Sequence, residues 1–300
     1  MTWRETLERT TGYLSGKNVP DATVAAELLA ARLLKCGRGF LAPHLGETPP
    51  PSHLEALRRA MTRLAAGEPI QYVLGEWDFR SLTLFCDARA LIPRPETEEL
   101  VTRALEFLKR PRRSAALTNG ASIPPVVVDV GTGTGCIILS LAKEYKGEGV
   151  FLGIDISPDA VALATKNAER CGLSGRVRFA VADGLDELDE PESVDLIVSN
   201  PPYIPTAEHA MLDPRIRDWE PRLALDGGPE GLDFYERLIS DAMNVLKPGG
   251  AAFFEIGDGQ GEAVRNIFFD CGFGDIRIEK DYAGHDRYAS AVLEPADTSA

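Results

Sequence analysis

The segment Val126-Val127-Val128-Asp129-Val130-Gly131-Thr132-Gly133-Thr134-Gly135-Cys136 constrains this chain more than any other. A short run suited to a buried strand passes into three alternating glycines, and an apolar helical pattern follows. Glycine admits the positive φ of a sharp strand-to-helix turn and lets a ligand approach main-chain N–H groups. Downstream, apolar runs at 151–154, 177–181, 194–198 and 251–256 read as buried parallel strands, with helical patterns at 136–145, 158–171 and 232–246. Runs at 276–279 and 288–293 suit a closing antiparallel pair. The alternation predicts an α/β fold with a doubly wound sheet. The glycine spacing also narrows the ligand. A dinucleotide turn needs Gly or Ala at 136, where Cys136 stands, and no G-K-[ST] is present for a nucleotide P-loop.

Ahead of this region the pattern is helical to about Gly67. Asp21 is expected to cap a helix carrying Val24, Ala25, Leu28, Leu29 and Leu33. Ser52 and Glu55 are expected to form a capping box for another, with Leu54, Leu57, Met61 and Leu64 at helical spacing. This part is either a docking domain or a stabilising extension. Residues 72–74 and 82–85 read as extended runs of a hairpin linker, and Thr97 as the cap of the next helix. The domains expected are therefore 1–70 helical, 71–95 linker and 96–300 catalytic. Residues 110–125, basic and then polar, read as a surface loop.

Lys and Arg total 32 against 46 Asp and Glu, a net charge of −14. That balance argues against broad binding to a phosphate backbone or an anionic membrane. No apolar run reaches the ~18 residues a membrane span needs, and the first residues lack a signal-peptide core. Five scattered cysteines with no C-x-x-C, and four histidines without ligand spacing, favour free thiols in a reducing cytoplasm and no metal site.

Two further acids follow the glycine loop. Asp155 ends the second strand, placed to accept hydrogen bonds from two ribose hydroxyls. Asp183-Gly184 ends the third, where a carboxylate can reach an exocyclic adenine amine. Each alone would be an ordinary strand-end group; in order at successive strand ends they mark the ligand-binding edge of an open α/β sheet. The D-x-G-x-G-x-G run resembles motif I of the class I S-adenosylmethionine-dependent methyltransferases.

After the fourth strand stands Asn200-Pro201-Pro202-Tyr203. As a bare turn it would only end a strand. In this place it resembles the [N/D]-P-P-[Y/F/W] motif of methyltransferases acting on planar nitrogen. An amide or aniline-type nitrogen is a poor nucleophile, because its lone pair is delocalised. The Asn200 side-chain oxygen and the Pro201 carbonyl can each accept one N–H, aiming the lone pair at the methyl donor. Pro202 adds no competing donor, and the Tyr203 ring can pack on the planar group. The effect is positioning plus hydrogen bonding that strengthens in the transition state.

Two substrate classes share such a site: a protein amide, or the amino group of a DNA or rRNA base, which needs a basic groove and room for a flipped base. The acidic balance favours the amide. A non-catalytic cofactor-binding scaffold is a third reading, opposed by the intact loop and N-P-P-Y. The stretches 67–75 (GEPIQYVLG), 91–98 (LIPRPETE), 129–135, 199–203, 220–225 (EPRLAL) with Gly227-Gly228, and 281–284 (DYAG) resemble the HemK/PrmC family of protein-(glutamine-N5) methyltransferases.

That resemblance spans nearly the whole chain. It implies a Rossmann-like, seven-stranded mixed sheet with a small N-terminal helical docking domain. It also implies methylation of the glutamine in the Gly-Gly-Gln motif of class 1 release factors, with S-adenosylmethionine as methyl donor. Carried over, Gly131, Thr132, Gly133, Thr134, Gly135, Asp155, Asp183 and Gly184 would bind the cofactor, with Asn200 beside it. Asn200, Pro201, Pro202 and Tyr203 would hold the glutamine amide. Residues 92–95 either line the site or form a rigid linker, and Glu255 reads as structural. A cytoplasmic monomer that contacts neither nucleic acid nor membrane completes the expectation.

Overall fold

The structure, a computed structural model, describes residues 1–110, 123–186, 188 and 190–294. The 110–125 loop therefore lies almost wholly outside the described residues. The chain divides into two compact units, Met1–Glu76 with Asp213–Trp219, and Trp77–Leu212 with Glu220–Ala300.

The first unit is helical: α1 (Trp3–Gly16), α2 (Ala22–Leu34), α3 (Pro51–Ala65), α4 (Ile70–Leu74) and the short α8 (Pro214–Arg217) that returns to it. Leu14, Ala25, Ala26, Leu29, Leu57 and Leu64 form its core, which fits the helical spacing of α2 and α3. Several local expectations are corrected. The capping box forms at Thr2 and Glu5 instead. Pro51 takes the first helical position of α3, so Ser52 falls inside the first turn and caps nothing. Asp21 sits at the N-cap of α2 at φ 45° and its side chain makes no capping bond. Residues 72–74 are helical rather than extended, since Pro69 opens α4 and Gly75, at φ 72°, closes it.

The second unit is a three-layer α/β domain. Its sheet contains β3 (Val126–Val130), β4 (Val150–Asp155), β5 (Val177–Val181), β6 (Val194–Ser199), β7 (Leu246–Glu255), β8 (Phe273–Lys280) and β9 (Asp286–Leu293). The order is β5-β4-β3-β6-β7-β9-β8, with β9 antiparallel to both neighbours. Successive residues of β3 serve opposite cores, as the two-residue period requires. Val127 packs with α5 (Pro95–Leu108) and α6 (Cys136–Glu144). Val128 packs with α9 (Asp233–Val245) and α10 (Gly261–Asp270).

Helix α7 (Pro158–Arg170) lies beside β4 and β5. A two-stranded sheet pairs β2 (Leu82–Phe85) with β1 (Glu76–Phe79) rather than with the expected run at 72–74. Buried Asn167 joins it to the glycine loop, bonding both the Phe85 main chain and the Thr134 carbonyl. Thr97 is not a cap: α5 begins at Pro95, and the Thr97 hydroxyl points elsewhere, as described below.

Between β3 and β6 the strand order reverses, and there the sheet opens a crevice at its carboxyl edge. All five cysteines are free. Among the described residues no helix is long and apolar enough to cross a membrane, and no cluster could hold a metal ion.

Candidate active site

The glycine loop and the N-P-P-Y segment leave adjacent strands at one level. Val130 and Ser199 are paired in register, and the Ser199 hydroxyl donates to the Val130 carbonyl at 2.6 Å. Between them lies a cavity of about 380 Å³ in the second unit, within the usual range for small-molecule sites.

Gly131, Gly133 and Gly135 all adopt positive φ, at 70°, 56° and 80°. Gly135 caps α6 and packs so closely that a Cβ would stand 3.1 Å from Leu139 and 3.3 Å from Ala164. Asp129, fully buried beneath the loop, accepts from the Thr132 hydroxyl at 2.7 Å. Burial raises its carboxyl to about 7, against the Thr132 bond that lowers it.

Asp155 accepts the Gly133 and Ser157 N–H groups, one on each oxygen, both at 2.9 Å. Burial raises its carboxyl, opposed by those two bonds. Each oxygen keeps lone-pair capacity toward the cavity. Among the described residues it has no basic partner in an ion pair, which suits it to hydroxyl donors.

Asp183 and Gly184 line the far wall. The Asp183 carboxylate accepts from Arg237 Nη1 at 2.7 Å, while Nη2 reaches the Asp183 carbonyl and Asp186. Gly184 has φ 69°, and a Cβ on it would lie 3.2 Å from that guanidinium.

Asn200, Pro201 and Pro202 line the same cavity. Tyr203 is not among the lining residues. Its ring packs on the core beside Gly257, and burial raises its hydroxyl to about 12. The segment is held by its backbone. Gln260 donates to the carbonyls of Tyr203 and Gly231 and accepts the Gly257 N–H. Ile204 N–H donates to Leu225, and Gly227 N–H to Ile204. A Cβ on Gly227 would come within 2.7 Å of the Pro202 carbonyl oxygen, and one on Gly231 within 2.3 Å of that of Tyr203.

Ile92, Pro93 and Arg94 also line the cavity, whereas Pro95 does not. Buried Glu220 accepts the Ile92 N–H at 3.0 Å and pairs with Arg94. Asn200 Nδ2 donates to Thr97 Oγ1 at 3.2 Å, and that hydroxyl donates to Glu255 Oε2 at 2.6 Å. Sequence reasoning missed the parts played by Thr97, Glu220, Arg237 and Gln260. Glu220 and Thr97 carried a signal, as parts of the EPRLAL and LIPRPETE stretches.

A positive-φ glycine loop, the strand-end carboxylate of Asp155 and the Asn200-Pro201 turn share one edge of the parallel strands, at the point where their order reverses. Together they define a class I S-adenosylmethionine-dependent methyltransferase, and the lining fits that cofactor.

Residues 5–75 match the family described as "PrmC N-terminal domain" and residues 125–261 that described as "Methyltransferase domain". The chain is 40% identical to a release factor glutamine methyltransferase of Geobacter sulfurreducens, covering 95% of both chains. It is 38% identical to one of Chlorobaculum tepidum, covering 97% of both. The chain belongs to the release factor glutamine methyltransferase family. A human methyltransferase 10 domain containing protein shares the fold at a TM-score of 0.52 and 17% identity, over 72% of this chain and 89% of that one.

Proposed function

We propose that this enzyme methylates the side-chain amide nitrogen (N5) of the glutamine in the Gly-Gly-Gln motif of class 1 release factors. The observation that carries the reading is that Asn200 and Pro201 line the cavity also lined by Asp155 and the glycine loop. The Asn200 Oδ1 and Pro201 carbonyl each accept one N–H of the substrate amide, which aims its lone pair and favours pyramidalisation during attack. S-adenosylmethionine supplies the methyl group from its sulfonium and departs as S-adenosylhomocysteine, and the nitrogen, made acidic by methylation, gives up one proton to solvent. Gly131–Gly135 and Asp155 hold its sulfonium-bearing chain and ribose, and Asp183-Gly184 with the Arg237 wall its adenine. Tyr203 acts as a packing anchor for the turn.

The helical unit is the docking module. The enzyme works as a cytoplasmic monomer and touches no nucleic acid itself; its −14 charge complements a basic, RNA-facing protein substrate. The test is incubation with labelled cofactor and a release factor, with mass mapping of the product. One methyl on the Gly-Gly-Gln glutamine is expected, falling by about 100-fold or more in Asn200→Ala. Transfer to DNA or rRNA adenine instead would overturn the reading.

A further inference from the structure

An asparagine amide is nearly symmetric in shape, and only its surroundings decide which end faces a ligand. Here the surroundings are two buried side chains from distant parts of the chain. Thr97 is 2% exposed and Glu255 1%. We propose that Thr97 and Glu255 are positioning residues for methyl transfer, which set the rotation of the Asn200 amide so that its oxygen, not its nitrogen, faces the substrate. The proposal rests on the glutamine-methylation reading above.

The argument is a count of protons. A hydroxyl has one proton to give, and with Glu255 ionised, the form present above about pH 7, Thr97 gives it to Oε2 at 2.6 Å. Toward Asn200 it therefore presents lone pairs, which only the amide NH₂ can satisfy, and Nδ2 lies 3.2 Å away. A rotated Asn200 would set Oδ1 against those lone pairs and turn N–H groups toward the substrate's own N–H, replacing an acceptor with a clash of donors. Glu255 is itself held in place. It ends β7 paired with Tyr288 of β9, and the Tyr235 hydroxyl donates to its carbonyl at 2.9 Å. Thr97 is fixed on the first turn of α5. The relay thus runs from the sheet through one helix to the reacting group.

The test uses Thr97→Val, Thr97→Ser and Glu255→Gln, alone and in the Asn200→Ala background. A glutamine at 255 can donate to Thr97, which frees the hydroxyl proton to turn toward Asn200. Expected are kcat losses of about 10–100-fold for Thr97→Val and Glu255→Gln. The KM for release factor and the Kd for S-adenosylmethionine should stay within about twofold, and Thr97→Ser should restore most of kcat.

In the Asn200→Ala background Thr97→Val should cost about twofold or less, because the group it positions is gone. The Asn200 side-chain amide, assigned in a ¹⁵N spectrum by its loss in Asn200→Ala, should be protected from exchange in the wild type and unprotected in Thr97→Val. Equal losses in both backgrounds, or an amide signal indifferent to Thr97, would overturn the proposal. The amide signal needs no release factor. A protected, Thr97-dependent amide in an enzyme that leaves release factors unmethylated would count against the glutamine reading and for the positioning one.

Discussion

Ser199 ends β6 by donating its hydroxyl to the carbonyl of Val130, the last residue of β3, at 2.6 Å. One bond thus ties the strand end before the glycine loop to the strand end before the N-P-P-Y turn. Ser199→Ala removes it from a fully buried site. The expected cost is about 1–2 kcal/mol of stability, read as a lowered midpoint in urea, with a rise in KM for substrate.

Asp155 stands at the cavity with both oxygens already anchored by backbone N–H groups. Its remaining lone pairs are the proposed contacts to the ribose hydroxyls. Charge-assisted bonds of this kind contribute about 1.5–3 kcal/mol, so Asp155→Ala should weaken S-adenosylmethionine by about 10–100-fold in calorimetry. The far-UV spectrum should be unchanged, and a Kd equal to wild type would remove Asp155 from the cofactor site.

Gly231, at φ 73°, lies where a Cβ would press on the Tyr203 carbonyl oxygen at 2.3 Å and on Gln260 Nε2 at 2.7 Å. Gly231→Ala should cost about 2–4 kcal/mol in thermal unfolding, from strain and overpacking together. Gly172, also at positive φ but with nothing within 4 Å of its Cβ position, is the control. Its Ala substitution should cost only about 1 kcal/mol.

Two buried carboxyls give stability a pH dependence. Burial raises Glu255 and Asp129 to about 7 from ordinary values of 4.5 and 3.8. The folded state therefore holds their protons more tightly than the unfolded chain does. Unfolding releases protons between those values and about 7, so stability falls as pH rises through that window and levels off above it. Urea titrations from pH about 7.5 down to about 5.5 should show a gain on the order of 1–2 kcal/mol per group. Glu255→Gln should lose its share of that gain. A profile that rises with pH across the window would contradict the linkage.

The central strands were legible in the sequence because they are buried on both faces and read as mostly apolar runs, as 251–254 does without interruption. The glycine loop was legible because glycine takes the positive φ values of 131, 133 and 135 without steric cost. Thr97 was misread for a physical reason: a threonine near a helix start looks the same whether it bonds its own helix or not. Its actual partner, Glu255, is 158 residues away. Residues 72–74 were misassigned because so short an apolar run has no period of its own, and the punctuation by Pro69 and Gly75 decided the matter. The carboxylate at 183 lines the cavity, but nothing local announced Arg237 as its partner.

The N-P-P-Y turn is supported by glycines more than twenty residues downstream and by one glutamine, all acting on its main chain. Grafting those four residues onto another α/β sheet would therefore transplant the letters without their rigidity. A designer wishing to move amide-methylating chemistry to a new scaffold would have to carry Gly227, Gly231 and Gln260 along with them.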